Sequence, residues 1–343
     1  MDKVKTHAAA NAKAKAMLGK LLKDQDYQEL LKLESVEEVI EYLSLNTHYA
    51  TLFSDSEDDS ESLELLMKRH FFNAYEKLYH FYIDAYRDFF KALFTRYEVE
   101  NLKLYLRALS RNENLGHITT HLIYSSLYSN INYESLNQVT SIKEFLDAIK
   151  GTTYYAVLEP FSEEEPTSMV FHMEMVLDRG YFNQLYGSIL ALNRMDKALM
   201  LELLGINIDI LNIQWIYRGR KYFDITSEEL FNFTLNGGER YDYKELKRFC
   251  YMDLDDFRLF IIQGDYKTIF QDKEYMMERA MERLIYYKLD DFTKNGGLSI
   301  ALPVVLLFKF EYEIRDLFTI IEGHKYHFED IHDLLIRDLR RER

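Results

Sequence analysis

The chain has 343 residues, of which 48% are hydrophobic, and a formal net charge of −15 at pH 7. This length predicts two or three domains with a sizeable core. The acidic charge argues against nucleic-acid binding, which needs a basic footprint, and it opposes direct adhesion to anionic lipid. The single cysteine, Cys250, excludes an internal disulfide framework, and we expect it to be a small buried side chain in a reducing compartment.

No segment of the sequence predicts secretion or membrane insertion. Residues 1–24 carry several lysines without the apolar core of a signal peptide. The longest unbroken apolar run, residues 300–308, is far shorter than the roughly 20 residues that a spanning helix needs. We therefore expect a cytoplasmic protein that reaches any membrane only through another protein.

The first predicted element is a basic N-terminal helix in residues 1–25. It carries a stripe of small and apolar side chains at Ala10, Ala14, Leu18 and Leu21. Because this stripe has no aromatic residue, we expect the helix to pack on the following module rather than lie in a lipid interface.

A segment after this helix is repeated later in the chain. SVEEVIEYLSLNTHYATL (35–52) aligns without a gap with SIKEFLDAIKGTTYYAVL (141–158), and both begin with Ser-x-x-Glu, at Ser35 and Ser141. LDDFRLFIIQGDYKTIF (254–270) is a third, looser copy. The apolar positions in these segments follow helical spacing, so each copy predicts a short amphipathic helix.

Two further landmarks follow each copy in the same order. The first is a glutamate with an arginine five positions later, and the second is a pair of polar residues three positions apart. The whole pattern recurs at a period of about 105–110 residues, which indicates an internal triplication. The repeated polar residues are Glu64, Arg69, Glu98 and Asn101 in the first copy, Glu174, Arg179, Asp209 and Asn212 in the second, and Glu278, Arg283, Glu313 and Asp316 in the third.

Long stretches without helix breakers predict an all-α protein, since the chain has only three prolines and is rich in Leu, Glu, Lys and Tyr. We predict an N-terminal helix (1–25) and three helical modules at 26–135, 136–238 and 239–343, the last with a C-terminal tail. Modules of this size exceed a solenoid repeat, so we expect three pseudo-symmetric modules to close into a three-lobed body.

Motifs for catalysis are incomplete throughout the sequence. It has no phosphate-binding glycine loop, no HExxH and no complete aspartate-rich DDxxD. We therefore expect no cofactor, no metal and no catalytic site, while an all-α metal-dependent enzyme stays open as the alternative. Its candidate residues are His117 with His121, then His324, His327 and His332 beside Glu329 and Asp330, and the pairs Asp58-Asp59, Asp255-Asp256 and Asp290-Asp291.

The repeated charges need partners if they lie inside apolar helices, because a buried charge is tolerated only when it is paired and hydrogen-bonded. We expect each repeated arginine to bond to the acid of the last landmark in its own copy, which is Glu98, Asp209 or Glu313. The alternative is that these arginines line a central channel and contact a partner.

Several motifs together resemble the C subunit of the archaeal and bacterial V-type ATPases, whose eukaryotic counterpart is the d subunit. They are HAAANAKAKAMLGKLL near the start, the aromatic residue after each Ser-x-x-Glu helix, and FEYEIRDLFTIIEGHKY (310–326). The last is similar to the family pattern E-x-x-N-L-R-x-I-x-x-G-K. Glu313, Leu317, Ile320 and Gly323 hold their places there, whereas Asp316 replaces Asn, Phe318 replaces Arg and His324 replaces Lys.

The resemblance implies a funnel-shaped, three-lobed rotor protein without a catalytic site of its own. Members of this family sit on the cytoplasmic face of the membrane rotor ring, which is made of proteolipid subunits. They receive the end of the central shaft, which the D and F subunits form. Through them, torque from ATP hydrolysis is coupled to transport of protons or sodium ions.

Overall fold

The predicted all-α class is confirmed by a computed structural model that describes residues 3–50, 52, 63–118, 122, 129, 131–164, 166–223, 225–271 and 273–340. These residues form fifteen α-helices and no strand. The helices are α1 Lys3–Leu18, α2 Asp24–Leu30, α3 Val36–Asn46, α4 Leu63–Tyr79, α5 Asp84–Ser110, α6 Tyr133–Leu136, α7 Ile142–Ala148, α8 Thr153–Leu158, α9 Pro166–Leu190, α10 Arg194–Tyr222, α11 Ser227–Phe233, α12 Tyr243–Tyr251, α13 Leu254–Gln263, α14 Met277–Asn295 and α15 Ala301–Lys325.

The order of short and long helices recurs three times along the chain. Two short helices precede two long ones in α2 to α5 and in α12 to α15, and three short helices, α6 to α8, precede the long helices α9 and α10. This order agrees with the repeat read from the sequence. The module boundaries and the three-lobed, funnel-like body stay predictions.

The repeated Ser-x-x-Glu segment forms the same helix start in two copies. The hydroxyl of Ser35 accepts a hydrogen bond from the backbone N–H of Glu38, and that of Ser141 accepts one from Glu144, both at 3.2 Å. Each glutamate carboxylate in turn accepts from the N–H of the residue before the serine, at 2.9 and 2.7 Å. The sequence echo is therefore a repeated N-terminal cap, which satisfies N–H groups that the first helical turn leaves without partners.

The helices divide into two compact units. The first, unit 1, consists of residues 1–82 and 258–343, and the second, unit 2, of residues 83–257. The boundary at residues 82 and 83 lies between α4 and α5, inside the first predicted module. The boundary at residues 257 and 258 lies within α13, inside the third.

Helix α15 is central to unit 1, where it packs against α1, α3, α4 and α14. The ring of Phe310 meets those of His48, His70 and Phe71 at centroid distances of 5.5 to 5.7 Å. Helix α1 lies on α15 and α4 and buries Ala10, part of its predicted apolar stripe. Unit 1 thus joins residues from the two ends of the described chain around one buried helix.

Unit 2 is organised around the long pair α5 and α9, which pack along each other. Helix α10 packs on α9, α11 and α12, and α7 packs on α5. The ring of Phe145, an apolar position of the repeated segment, is fully buried and lies 6.4 Å from that of Tyr105 on α5. The repeated short helix is therefore held to the long helices by its apolar face.

One described helix, α10, is long and apolar enough to cross a membrane by length and composition. In its most apolar stretch, 67% is buried inside the protein. Such burial is typical of a core helix. Helix α10 also binds residues 235–241 of unit 2 through its side chains.

Candidate functional site

The polar pair of α10 binds the chain that returns from α11. Asp209 is completely buried, and its carboxylate accepts hydrogen bonds from the backbone N–H groups of Arg240 and Tyr241 at 2.7 and 3.3 Å. The side chain of Asn212, one turn further on, donates to the carbonyl of Leu235 and accepts from its N–H, both at 2.8 Å. Two helical side chains thus supply the hydrogen bonds that a neighbouring strand would supply in a sheet.

The returning loop approaches α10 closely because both surfaces carry glycine. A Cβ atom at Gly205 would lie 2.9 Å from the backbone nitrogen of Glu239, and one at Gly238 would overlap the carboxylate of Asp209. The Gly-Gly pair of this loop is therefore needed for contact with Asp209, and not only as a flexible linker.

The polar pair of α15 makes the equivalent contacts in unit 1. Asp316 accepts hydrogen bonds from the N–H groups of Ile336 and Arg337 at 2.6 and 3.0 Å. Glu313 accepts from the N–H of Leu22 at 2.6 Å and from the hydroxyl of Tyr49 at 2.9 Å. The polar pair of the third copy thus binds the C-terminal segment, the N-terminal segment at Leu22 and the first copy at Tyr49.

The repeated arginines bind backbone carbonyls, so the predicted pairing of Arg179 with Asp209 and of Arg283 with Glu313 is wrong. Arg179 donates to the carbonyl of Asn232 at 3.0 Å. Arg283 donates to the carbonyl oxygens of residues 333 and 335, at 2.6 Å each through its Nη2. The physical reason is burial: Asp209 and Glu313 lie inside the protein, whereas Arg179 is exposed and Arg283 is half-buried.

The two long helices of the second and third copies each bind the chain that follows them through one arginine and one polar side chain. In the third copy, Arg283 on α14 binds its carbonyls and Asp316 on α15 binds its N–H groups. In the second copy, Arg179 on α9 binds the carbonyl of Asn232 near the end of α11, and Asn212 on α10 binds both backbone groups of Leu235, three residues further on. We call each such set of two side chains a segment clamp.

The polar pair of the first copy binds tyrosine side chains. Asn101 donates to the hydroxyl of Tyr133 at 3.1 Å, and Glu98 accepts a hydrogen bond from the side chain of Tyr154. Arg69 lies exposed on α4. Most residues between 119 and 130 and the side chain of Glu64 are outside the described part of the structure.

The repeated glutamates do not share one role. Glu174 on α9 forms a bidentate ion pair with Arg107 on α5, in which the Nη2–Oε2 distance is 3.0 Å. A second ion pair, between Lys103 and Asp178, lies beside it. Glu278 is exposed in the first turn of α14, where a negative charge favours the helix dipole. The Lys103–Asp178 pair was missed in the sequence because its residues do not recur between copies.

Burial changes the ionisation of the acids in unit 1. It raises the pKa of Glu313 to about 8, because loss of water outweighs the hydrogen bonds from Leu22 and Tyr49. Burial likewise raises the pKa of Asp316 to about 6, despite its backbone donors. Burial and the neighbouring His70 lower the pKa of His48 to about 4. A neutral Glu313 is thus favoured inside the folded unit near neutral pH.

The histidine and aspartate clusters near the C terminus contain ligand atoms that a metal could use. Those of Asp330, His332 and Asp333 lie within 4.8 Å of one another. The guanidinium of Arg340, however, already lies 3.0 Å from the carboxylate of Asp333. A cation there competes with a divalent ion, and the cluster is largely exposed, so the geometry does not favour a resident metal.

The other metal candidates have structural roles or lie outside the described residues. His324 is buried and its Nε2 lies 3.0 Å from the carbonyl of Leu30. Asp290 pairs with Lys309 on the next helix. Asp255-Asp256 lies in the first turn of α13, a position that the helix dipole favours. His327 and Glu329 line an open cavity of about 600 Å³, whereas His121, Asp58-Asp59 and the side chain of His117 are outside the described part.

Comparisons with known proteins give one consistent family. The model of the family described as ATP synthase (C/AC39) subunit matches residues 10–332. A relative from Thermococcus kodakarensis, named as the C subunit of an A-type ATP synthase, is 23% identical over 91% of this chain and 85% of its own. Proteins of the same name from Methanosarcina acetivorans (23%, covering 97% and 92%) and Methanocaldococcus jannaschii (24%, covering 96% and 86%) are similar over nearly their whole length.

Proposed function

Because the chain belongs to the ATP synthase (C/AC39) subunit family, whose model matches residues 10–332, we propose that it is a central-stalk subunit of a rotary ATPase. In this role it connects the D–F shaft to the proteolipid ring of the membrane rotor and transmits torque for ion transport. The observation that carries the proposal is the family match over nearly the whole chain.

The internal contacts of the repeated polar residues support a mechanical role. Asp209 and Asp316 are each used to bind two backbone N–H groups, and Arg179 and Arg283 bind backbone carbonyls. Side chains used in this way stiffen the connections between helices, which suits a protein that bears load. We therefore propose that the segment clamps are structural and that the shaft is bound by other surfaces.

Attachment to the membrane is proposed to be peripheral and through the ring, on the cytoplasmic side. The apolar helix α10 is mostly buried within unit 2 and carries Asp209 and Asn212 in its loop contacts. Insertion of α10 into lipid would break these hydrogen bonds and expose the bound loop. The other ATP synthase subunits are then its partners, and the protein is an accessory component without catalysis of its own.

The test is titration calorimetry of the purified chain with a purified D–F heterodimer at two salt concentrations, with metal content measured on the same protein. We expect a one-to-one complex and no stoichiometric metal. A heterodimeric coiled coil of similar net charge is the control and should not bind. Failure to bind the shaft, together with one bound divalent ion per chain, would overturn the proposal in favour of a metal-dependent enzyme.

A further inference from the structure

An open cavity of about 600 Å³ lies in unit 1, between the α2–α3 connection and the chain that follows α15. Both sides of the cavity carry apolar and acidic side chains. They are Leu31, Leu33 and Glu34 on one side and Phe328, Glu329 and Ile331 on the other. Ligand cavities in proteins span about 300–1,000 Å³, so this one has room for several side chains of a partner.

Two contacts fix the walls of this cavity. Nε2 of His324, near the end of α15, lies 3.0 Å from the carbonyl of Leu30 at the end of α2. A Cβ atom at Gly323 would lie 2.6 Å from Cγ1 of Ile331, so the chain after α15 folds back directly onto this glycine. Because both walls are packed on α15, the cavity is preformed.

The cavity offers hydrogen-bond acceptors. His324 is 8% exposed and lines the cavity. Because a carbonyl oxygen accepts from its Nε2, its Nδ1 is an acceptor, and no described residue donates to it. Glu34 and Glu329 are exposed and make no ion pair within the described residues. A ligand that fits this cavity must therefore supply donors and positive charge.

Three basic side chains near the cavity already have acidic partners. These pairs are Lys32–Glu29, Arg337–Asp24 and Arg340–Asp333, with N–O distances of 2.6 to 3.0 Å. Arg340 also lies 3.5 Å from Nδ1 of His332, a residue of the cavity wall. The chain thus binds one of its own guanidinium groups beside the cavity, and the two glutamates in the cavity are left for another cation.

Two aromatic rings extend the cavity onto the protein surface. Tyr326 and Phe328 are 60% and 48% exposed, and their rings stack with centroids 6.2 Å apart. The ammonium group of Lys325 lies 5.3 Å from the centroid of the Tyr326 ring, which shows that a cation is accommodated on this pair. Aromatic residues are enriched in protein interfaces, and a planar guanidinium group stacks well on such rings.

We propose that this cavity binds an arginine-bearing segment of a partner protein. The guanidinium group, with its five N–H donors, donates to the carboxylates of Glu34 and Glu329 and lies against the ring of Phe328. Its aliphatic stem lies along the apolar walls. The exposed aromatic pair supplies contact area outside the cavity, which a protein segment would cover and free arginine would not. The inference goes beyond the proposed function and does not depend on it.

The test is fluorescence anisotropy of a labelled peptide, in which two adjacent arginines are flanked by leucines, titrated with the full chain. We expect saturable binding that weakens about fivefold in Glu34→Gln and in Glu329→Gln, because each variant removes one ion pair. Glu41→Gln removes the same charge from an exposed position on α3 outside the cavity. This control should bind within about twofold of the wild type, since distant charges are screened. The peptide with glutamine in place of arginine should bind about tenfold more weakly or worse.

Phe328→Trp provides a second readout at the cavity itself. The natural chain has one tryptophan, Trp215, which is buried in unit 2, so a peptide-dependent change in emission reports the new side chain. We expect this change to have the same midpoint as the anisotropy. Unchanged emission during binding, or equal weakening in Glu34→Gln and Glu41→Gln, would overturn the proposal, because the peptide would then bind the acidic surface in general.

Other occupants of the cavity give different results. Binding of N-acetylarginine amide as tight as that of the peptide would assign the cavity to a small molecule. Equal binding of the glutamine peptide would assign it to apolar ligands, and self-association of the chain that Glu34→Gln weakens would assign it to a second copy. Each of these results, and equally the absence of peptide binding, would overturn the proposal without affecting the titration with the D–F heterodimer.

Discussion

Buried carboxylates and amides bind different backbone groups at the repeated polar positions. A carboxylate offers only acceptors, so Asp209 and Asp316 each bind two consecutive N–H groups. An amide offers a donor and an acceptor, and Asn212 binds both the N–H and the carbonyl of Leu235. The choice of residue therefore follows the orientation of the segment that it binds.

Replacement of Asp209 by alanine tests this role. Asp209→Ala leaves the N–H groups of Arg240 and Tyr241 without their acceptor, and each unsatisfied buried group costs about 1–3 kcal/mol. We expect the free energy of unfolding to fall by about 3 kcal/mol in urea denaturation. Asp209→Asn keeps one acceptor oxygen and should lose clearly less. Equal losses in the two variants would show that the backbone hydrogen bonds are not what Asp209 contributes.

At the scale of helices, the sequence shows the elements better than their connections. The Ser-x-x-Glu echo predicted repeated short helices, and the structure adds that Ser35 and Ser141 cap them, a role that depends on residues only three positions apart. The acceptors of Arg179 and Arg283 could not be predicted, since any residue has a carbonyl group and the acceptor leaves no trace in the sequence. The close approach of Gly238 to Asp209 could not be predicted, because the two residues lie far apart in the sequence.

The pairing of α5 with α9 depends on charges buried within an apolar contact. Lys103 and Asp178 are each less than 10% exposed. Although burial by itself lowers the pKa of Lys103, the carboxylates of Asp178 and Glu100 raise it above its ordinary value. The ammonium group is therefore charged in the folded protein, and it needs its partner.

A double-mutant cycle measures how far this pair fastens α5 to α9. Lys103→Met leaves Asp178 as an uncompensated buried acid and should cost about 3–5 kcal/mol, as measured by urea denaturation. Lys103→Met combined with Asp178→Leu replaces the pair by apolar side chains of similar size and should cost much less. Additive losses in the double variant would mean that the two charges do not interact.

For the whole molecule, acidic charge is distributed between the surface and a few buried sites. The surface excess accounts for most of the net charge of −15, while Glu313 and Asp316 are buried with raised pKa values. A raised carboxyl pKa means that the folded state binds the proton more tightly than the unfolded state. These two groups therefore make folding less favourable as the pH rises through their range, opposite to the usual contribution of surface ion pairs.

His48 has the opposite effect on stability from these acids, and we expect it to dominate the loss of stability at acid pH. Its pKa is about 4 in the folded state against 6.5 when unfolded, so its contribution is fully present above pH 6.5 and is lost as the pH falls towards 4. The loss amounts to about 3 kcal/mol over this range. The measurement is the difference in free energy of unfolding between wild type and His48→Gln at pH 7 and pH 4, in which the contributions of other groups cancel.

This difference should shift by about 3 kcal/mol in favour of His48→Gln on acidification, because the variant has no imidazole to protonate on unfolding. Leu45→Gln changes an exposed side chain on the preceding helix, α3, to the same residue without altering any titrating group. Its difference from wild type should not depend on pH. A constant difference for His48→Gln as well would mean that the ring gains no proton when the chain unfolds, and that the buried cluster of His48, His70 and Phe310 survives in the acid-unfolded chain.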